Sequence, residues 1–337
     1  MEFWPKNKGA RPEKVAMSEA VNDDARVAAG LESKQVTGDF DKASTPEEFI
    51  QSVDFNAINS IFDSLIKKAG GADRVNVSGH DVSPTRISFD VSDNGEGFYV
   101  TAGEAKVYSG EIALEWPSTV QQSRAQRNIS LLKSLLHESA HIRGAYTEQL
   151  ERMEGGEISE ATVRHGLWER HVTNTGTDSQ TALSLNEAVT EDIAHEVLRE
   201  YLIRTGNSSY LTDPAILERL AMGAYVNDRL ALSVIIQVIA NETKVDKDQV
   251  WKGIVRAYMS GNDDLHKLFS DIETTIQENP RAQDVLTMLK SDTRIDHYLP
   301  INSLYSVVDD PLEQLEVMKR VIKSFDSEQY RNVLGLH

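Results

Sequence analysis

Residues Leu131 to Gly144 read LLKSLLHESAHIRG, and the fold is worked out from this stretch. Ile129, Leu132, Leu136 and Ala140 recur at three- and four-residue steps, which predicts a helix with one apolar stripe, and Gly144 is placed to end it in a left-handed cap. His137 and His141 then lie one turn apart on the same face. That spacing lets two imidazoles reach one tetrahedral Zn²⁺, while Glu138, next in sequence, is set to touch a water on the metal rather than to ligate it.

A second stretch, Leu185 to Asp192, reads LNEAVTED. It opens another amphipathic helix on which Glu187 and Glu191 are four apart and share a face. Ser184 to Glu187 also fits an S-x-x-E capping box, in which Glu187 only satisfies a helix-terminal N–H.

Taken together, the H-E-x-x-H of His137 to His141 and the N-E-x-x-T-E of Asn186 to Glu191 resemble the gluzincin metallopeptidases, the thermolysin-like clan, whose second motif reads N-E-x-x-[ST]-[DE]. The resemblance covers roughly residues 75 to 204. It implies that Glu187 is the third zinc ligand and that Glu191 accepts a hydrogen bond from the non-ligating nitrogen of His137 or His141. Asn186 and His195, the latter four residues beyond Glu191 on the same face, join the surrounding shell. Glu191 stands where thermolysin has the shorter aspartate, and His141 and Glu187 are further apart than in compact members.

Composition agrees with an N/O metal site. The 337-residue chain has no cysteine, which excludes disulfides, thiolate zinc sites and cysteine catalysis. A net charge of −18 argues against nucleic acid or anionic lipid as a partner. The N-terminus MEFWPKNKGARPEK lacks the apolar core of a secretory signal, and the apolar run Leu230 to Ala240 is too short to span a bilayer. The expected compartment is the cytoplasm.

Along the chain, residues 1–45 are polar and aperiodic and predict a flexible leader, with a loose helix over Val21 to Leu31. Thr45-Pro46 opens a helix running to about Gly70. Four segments rich in β-formers, Arg74 to Val77, Arg86 to Val91, Gly97 to Thr101 and Lys106 to Trp116, predict a small, mostly antiparallel sheet. By the resemblance this sheet packs on the H-E-x-x-H helix, and its edge strand, Ile112 to Glu115, pairs with an extended peptide. Ala161 to Val172 predicts a strand or hairpin, with a loop over 173–180. His165 and His171 flank no helical motif. From Pro214 onward the periodicity is helical: one helix from Pro214 through Leu220 to Ala240, then segments over Val250 to Tyr258, 264–278, 281–290 and 311–324.

The expected fold is α+β and zincin-like: a leader over 1–45, a core over 46–205 carrying both motifs, and a helical part over 206–337. The expected chemistry is peptide hydrolysis with one Zn²⁺ per chain on His137, His141 and Glu187, and Glu138 as base. Tyr225 is nominated as the oxyanion donor ahead of Tyr201 and Tyr146. Peptides or proteins are the expected partners. The competing expectation is a zinc-stabilised interaction domain without turnover, or a latent protease covered by the leader or by the 145–180 insertion.

Overall fold

The computed structural model describes residues 42–69, 81–90, 103–107, 109–116, 123–153, 158–221, 225–260 and 264–291. The leader up to residue 41, the expected strands over 74–77 and 97–101, and the helix over 311–324 lie outside the described residues. The class is α+β.

The chain enters through two helices where the sequence predicts one: α1, Pro46–Ser52, and α2, Phe55–Lys68. Thr45 Oγ1 caps the first. The break falls at Asp54, whose carboxylate accepts from the Ala57 N–H and so starts the second. Three short strands follow, β1 Ile87–Asp90, β2 Gly103–Lys106 and β3 Glu111–Glu115, in the order β1-β3-β2. The segment expected as one strand over Lys106 to Trp116 is thus a hairpin arm and a turn, with Gly110 at a positive φ of 69° and its N–H bonded to the Lys106 carbonyl. β3 pairs parallel with β1 and antiparallel with β2. It is the central strand, which corrects the expectation that Ile112 to Glu115 forms the sheet edge. Its alternation of buried Ile112 and Leu114 with less buried neighbours marks one face packed on the helices, and that pattern is the same for a central and an edge strand.

The long helix α3, Arg124–Arg143, carries the first motif. Ser123 and Gln126 close a capping box at its start, each side chain bonding the other residue's backbone N–H. At its far end Gly144 is extended (φ −62°, ψ 152°), not left-handed as expected. Its lack of a side chain is used for space instead: a Cβ there would lie 3.0 Å from the Tyr258 ring.

Between the motifs, four strands form an antiparallel meander in sequence order: β4 Tyr146–Arg152, β5 Ile158–His165, β6 Trp168–Thr173 and β7 Asp178–Thr181. The expected hairpin is β5–β6, and part of the expected loop is β7. Register puts Tyr146, His165 and Trp168 on one face, continued by Val163, Leu150, Ala161 and Val172. The other face carries Thr147, Gln149, Thr162, Glu169 and His171.

The second motif opens α4, Leu183–Arg204. The described residues beyond it are mainly helical: α5 Pro214–Ala221, α6 Val226–Thr243, α7 Lys247–Ser260, α8 Asp264–Thr275 and α9 Pro280–Lys290. α5 and α6 replace the single helix expected from Pro214, and Tyr225 sits at the N-terminal boundary of α6. α3 and α4 pack together at the centre, with α2, α6, α7 and α9 against α4 and with β2 and β3 against α3. Both central helices are buried on most of their circumference, so their polar side chains must find partners inside the protein. Among the described residues no helix is long and apolar enough to cross a membrane.

Candidate metal centre

α3 and α4 bring three donor atoms to one point. Nε2 of His137 and Nε2 of His141 lie 3.2 Å apart, and Oε2 of Glu187 is 3.3 Å from the first and 3.6 Å from the second. Ligand atoms of these three residues all lie within 4.8 Å of one another. The capping-box alternative for Glu187 is not what forms. α4 begins at Leu183 behind Ala182, which has a left-handed φ of 60° and supplies no side-chain cap, and Ser184 is fully buried inside the first turn. The leading N–H groups are met instead by backbone: Ala182 N–H bonds the Lys290 carbonyl and Leu183 N–H that of Ser291.

The donor set suits a divalent cation of zinc type, with two imidazole nitrogens and one carboxylate oxygen. His137 is oriented from behind. Glu191 Oε2 lies 2.9 Å from His137 Nδ1, so the Nδ1–H donates to the carboxylate, which would leave Nε2 to an ion when one displaces its proton. His195 Nε2 is 3.3 Å from Glu191 Oε1, and the Arg229 guanidinium, which donates to Asp192 at 2.6 Å, stands 3.4 Å from the same nitrogen. His141 is held differently. Its Nδ1 is buried with no hydrogen-bond partner among the described residues, and its ring lies 5.3 Å from that of His165.

Electrostatics follow the geometry. Burial disfavours the His137 cation, but the Glu187 and Glu191 carboxylates outweigh it and raise its pKa to about 9. Burial likewise opposes ionisation of Glu187 and Glu191. Nearby His141 for the first and Lys133 for the second nonetheless hold both carboxyls well below the usual range. Glu138 is different: burial dominates and raises its pKa. Burial lowers His195 to about 4, helped by Arg229.

The other nominated residues divide. The Tyr225 ring stacks on His137, with centroids 5.1 Å apart and planes within 6°. Tyr201 is spent elsewhere, its hydroxyl accepting the Asp54 N–H between α1 and α2. Tyr146 pairs with His165 across the β4–β5 ladder. His165 reaches the site, donating from Nε2 to the His141 carbonyl at 2.6 Å, whereas His171 lies on the polar face of the meander beside Thr162. Asn186 turns away from the donors; its Oδ1 accepts the Leu167 N–H at the β5–β6 turn.

Three contributors are not apparent from the sequence. Lys133, one turn before His137 on α3, forms an ion pair with Glu191 Oε1. The series 133, 137, 141 places it on the face of the two histidines, but its partner lies on the other motif helix. Tyr258, on α7, joins the two motif helices: its hydroxyl donates to the Ala140 carbonyl at 3.1 Å and lies 2.9 Å from Thr190 Oγ1. Gly166, at φ +58° in the β5–β6 turn, presses so close that a Cβ would be 2.5 Å from both Asn186 Oδ1 and the Tyr258 ring.

Comparison of the chain with protein-family models, with curated proteins and with solved structures finds no match.

Proposed function

We propose that the chain is a zinc-dependent peptidase of gluzincin type. The observation that carries this reading is the convergence of His137, His141 and Glu187 on one point, with Glu138 next to His137 on the same buried helix. Three protein donors with His137 oriented by a carboxylate match a catalytic rather than a closed structural zinc site. When bound, Zn²⁺ supplies Lewis-acid polarisation of the scissile carbonyl and lowers the pKa of water.

The chain's own residues do the rest. Glu138 removes a proton from the attacking water and delivers it to the leaving amine, and its burial makes it a stronger base than an exposed carboxylate. Tyr225, seated on the His137 ring, is assigned the oxyanion contact. For an extended peptide the strand on offer is β2, which packs on α3 and borders the three-stranded sheet among the described residues.

The test is metal content by elemental analysis on wild type and Glu138→Gln, with both proteins incubated with a mixed peptide library. One zinc in each and cleavage by wild type alone is the expected result. Zinc in both without cleavage favours a binding module, and absence of zinc from both rejects the ligand set.

A further inference from the structure

Glu187 and Glu191 are the same residue type, one turn apart on one face of α4, and both reach His137. Only Glu187 offers an oxygen to the point where the two Nε2 atoms meet. The cause lies in what holds Glu191. Its Oε2 faces His137 Nδ1 at 2.9 Å, and its Oε1 is occupied by the Lys133 ammonium and by His195 Nε2 at 3.3 Å. The Lys133 side chain is 14% exposed and that of Glu191 1%, so the pair is held largely out of water, where a carboxylate without its cation is strongly disfavoured.

We propose that Lys133 is a positioning residue of the metal centre. By holding Oε1 it keeps Glu191 turned toward His137 Nδ1 and out of the coordination sphere, so that one position stays open for water or substrate. This inference rests on the metal reading given above. Without Lys133, a buried carboxylate keeps only its His137 and His195 contacts, one turn of α4 from the Glu187 oxygen that meets the two Nε2 atoms. Its most favourable partner is then the ion itself. The site gains a fourth protein ligand and closes, as structural zinc sites are closed.

The measurement uses full-length protein loaded with Co²⁺ in place of Zn²⁺, titrated with azide and followed by visible absorption, whose intensity and shape report coordination. Wild type is expected to show a saturable spectral change as azide takes the open position. Lys133→Met is expected to lose that response or to need at least tenfold more azide. Lys133→Arg, which keeps a cation for Oε1, is expected to respond like wild type. The double variant Lys133→Met/Glu191→Gln is expected to respond as Glu191→Gln does alone, because Lys133 acts only through Glu191.

The double variant also removes both buried charges, so the comparison stands where Lys133→Met does not fold. A Lys133→Met half-saturation equal to that of wild type overturns the inference, as does a difference between the double variant and Glu191→Gln. Wild type that takes up no Co²⁺ overturns the metal reading and this inference with it, whereas normal loading with an unchanged variant response overturns this inference alone.

Discussion

On its helical side the site is held by charge, and on its hairpin side by shape. Among the described residues α3 and α4 supply every donor, and behind His137 stand Glu191, Lys133, His195, Asp192 and Arg229, all buried or nearly so and each contacting another of the set. The β5–β6 turn supplies no donor to the converging point. It is wedged in: Gly166 N–H bonds the Ala145 carbonyl, Leu167 N–H bonds Asn186, and Arg164 donates to the Gly166 and Ala257 carbonyls. Under the proposed reading the helical side would hold the ion and the hairpin side would bound the space beside it. They also titrate in opposite directions. His137 is raised to about 9 by its carboxylates, while His165 is lowered to about 4 by burial and by His141.

The contrast breaks most visibly at Glu187. Glu187→Ala is expected to weaken zinc binding by at least about 100-fold, beyond the losses brought by residues that merely orient a ligand, as read by competition with a chromogenic chelator. Thermal unfolding of the metal-free variant is expected to change far less. If zinc affinity survives, the helical side is not what holds the ion.

An effect of similar size, on stability rather than on affinity, is expected of Gly166→Ala on the hairpin side. A left-handed backbone and a Cβ set against Asn186 and Tyr258 predict a loss of about 3 to 5 kcal/mol in denaturant unfolding. Zinc affinity of the folded fraction should stay within a few-fold of wild type. A variant that keeps its stability but loses zinc would reverse the division of tasks.

The pH dependence sharpens the same point. His165 has a folded pKa of about 4 against an ordinary value of 6.5, so the folded state favours its neutral form. Its contribution to stability is complete above pH 6.5 and is lost as pH falls from 6.5 toward 4, about 3 kcal/mol in all. Metal-free His165→Asn should therefore lose about 2 kcal/mol less than wild type between pH 7 and pH 4.5 in urea titrations. His137 has the opposite sign: in the metal-free protein its contribution is present below pH 6.5 and is lost as pH rises through about 9.

The smallest effect is expected at Arg170→Ala. Its paired bonds to Asp178 lie between β6 and β7 on the exposed end of the meander, and its removal should leave both the unfolding midpoint and zinc binding unchanged.

How much of this could be read from the sequence follows from where the information lies. His137, His141, Glu187 and Glu191 are fixed by four-residue steps within single helices, so their shared faces are visible without a fold. Lys133 obeys the same step but joins the site only through a carboxylate on another helix, which spacing on α3 does not reveal. Tyr258 is 118 positions from the Ala140 carbonyl it bonds. The helix break at Asp54 is a local cap on Ala57, three residues on, hidden within one continuous apolar face, and the central place of β3 depends on strands outside its own segment, whereas periodicity reports only which face is buried. Gly144 carried a true signal with the wrong meaning: the residue must be small, and the reason is the Tyr258 ring rather than a left-handed turn.

The start of α4 has a consequence for the order in which the protein is made. The helix that carries Glu187 has no side-chain cap, and the N–H groups of Ala182 and Leu183 are answered by the carbonyls of Lys290 and Ser291, at the end of α9. On the ribosome those carbonyls emerge long after Glu187 has left the tunnel, so a nascent chain released short of residue 291 carries Glu187 on a helix whose start is unanchored. The Glu187 helix is therefore pinned at its start only once α9 has been made.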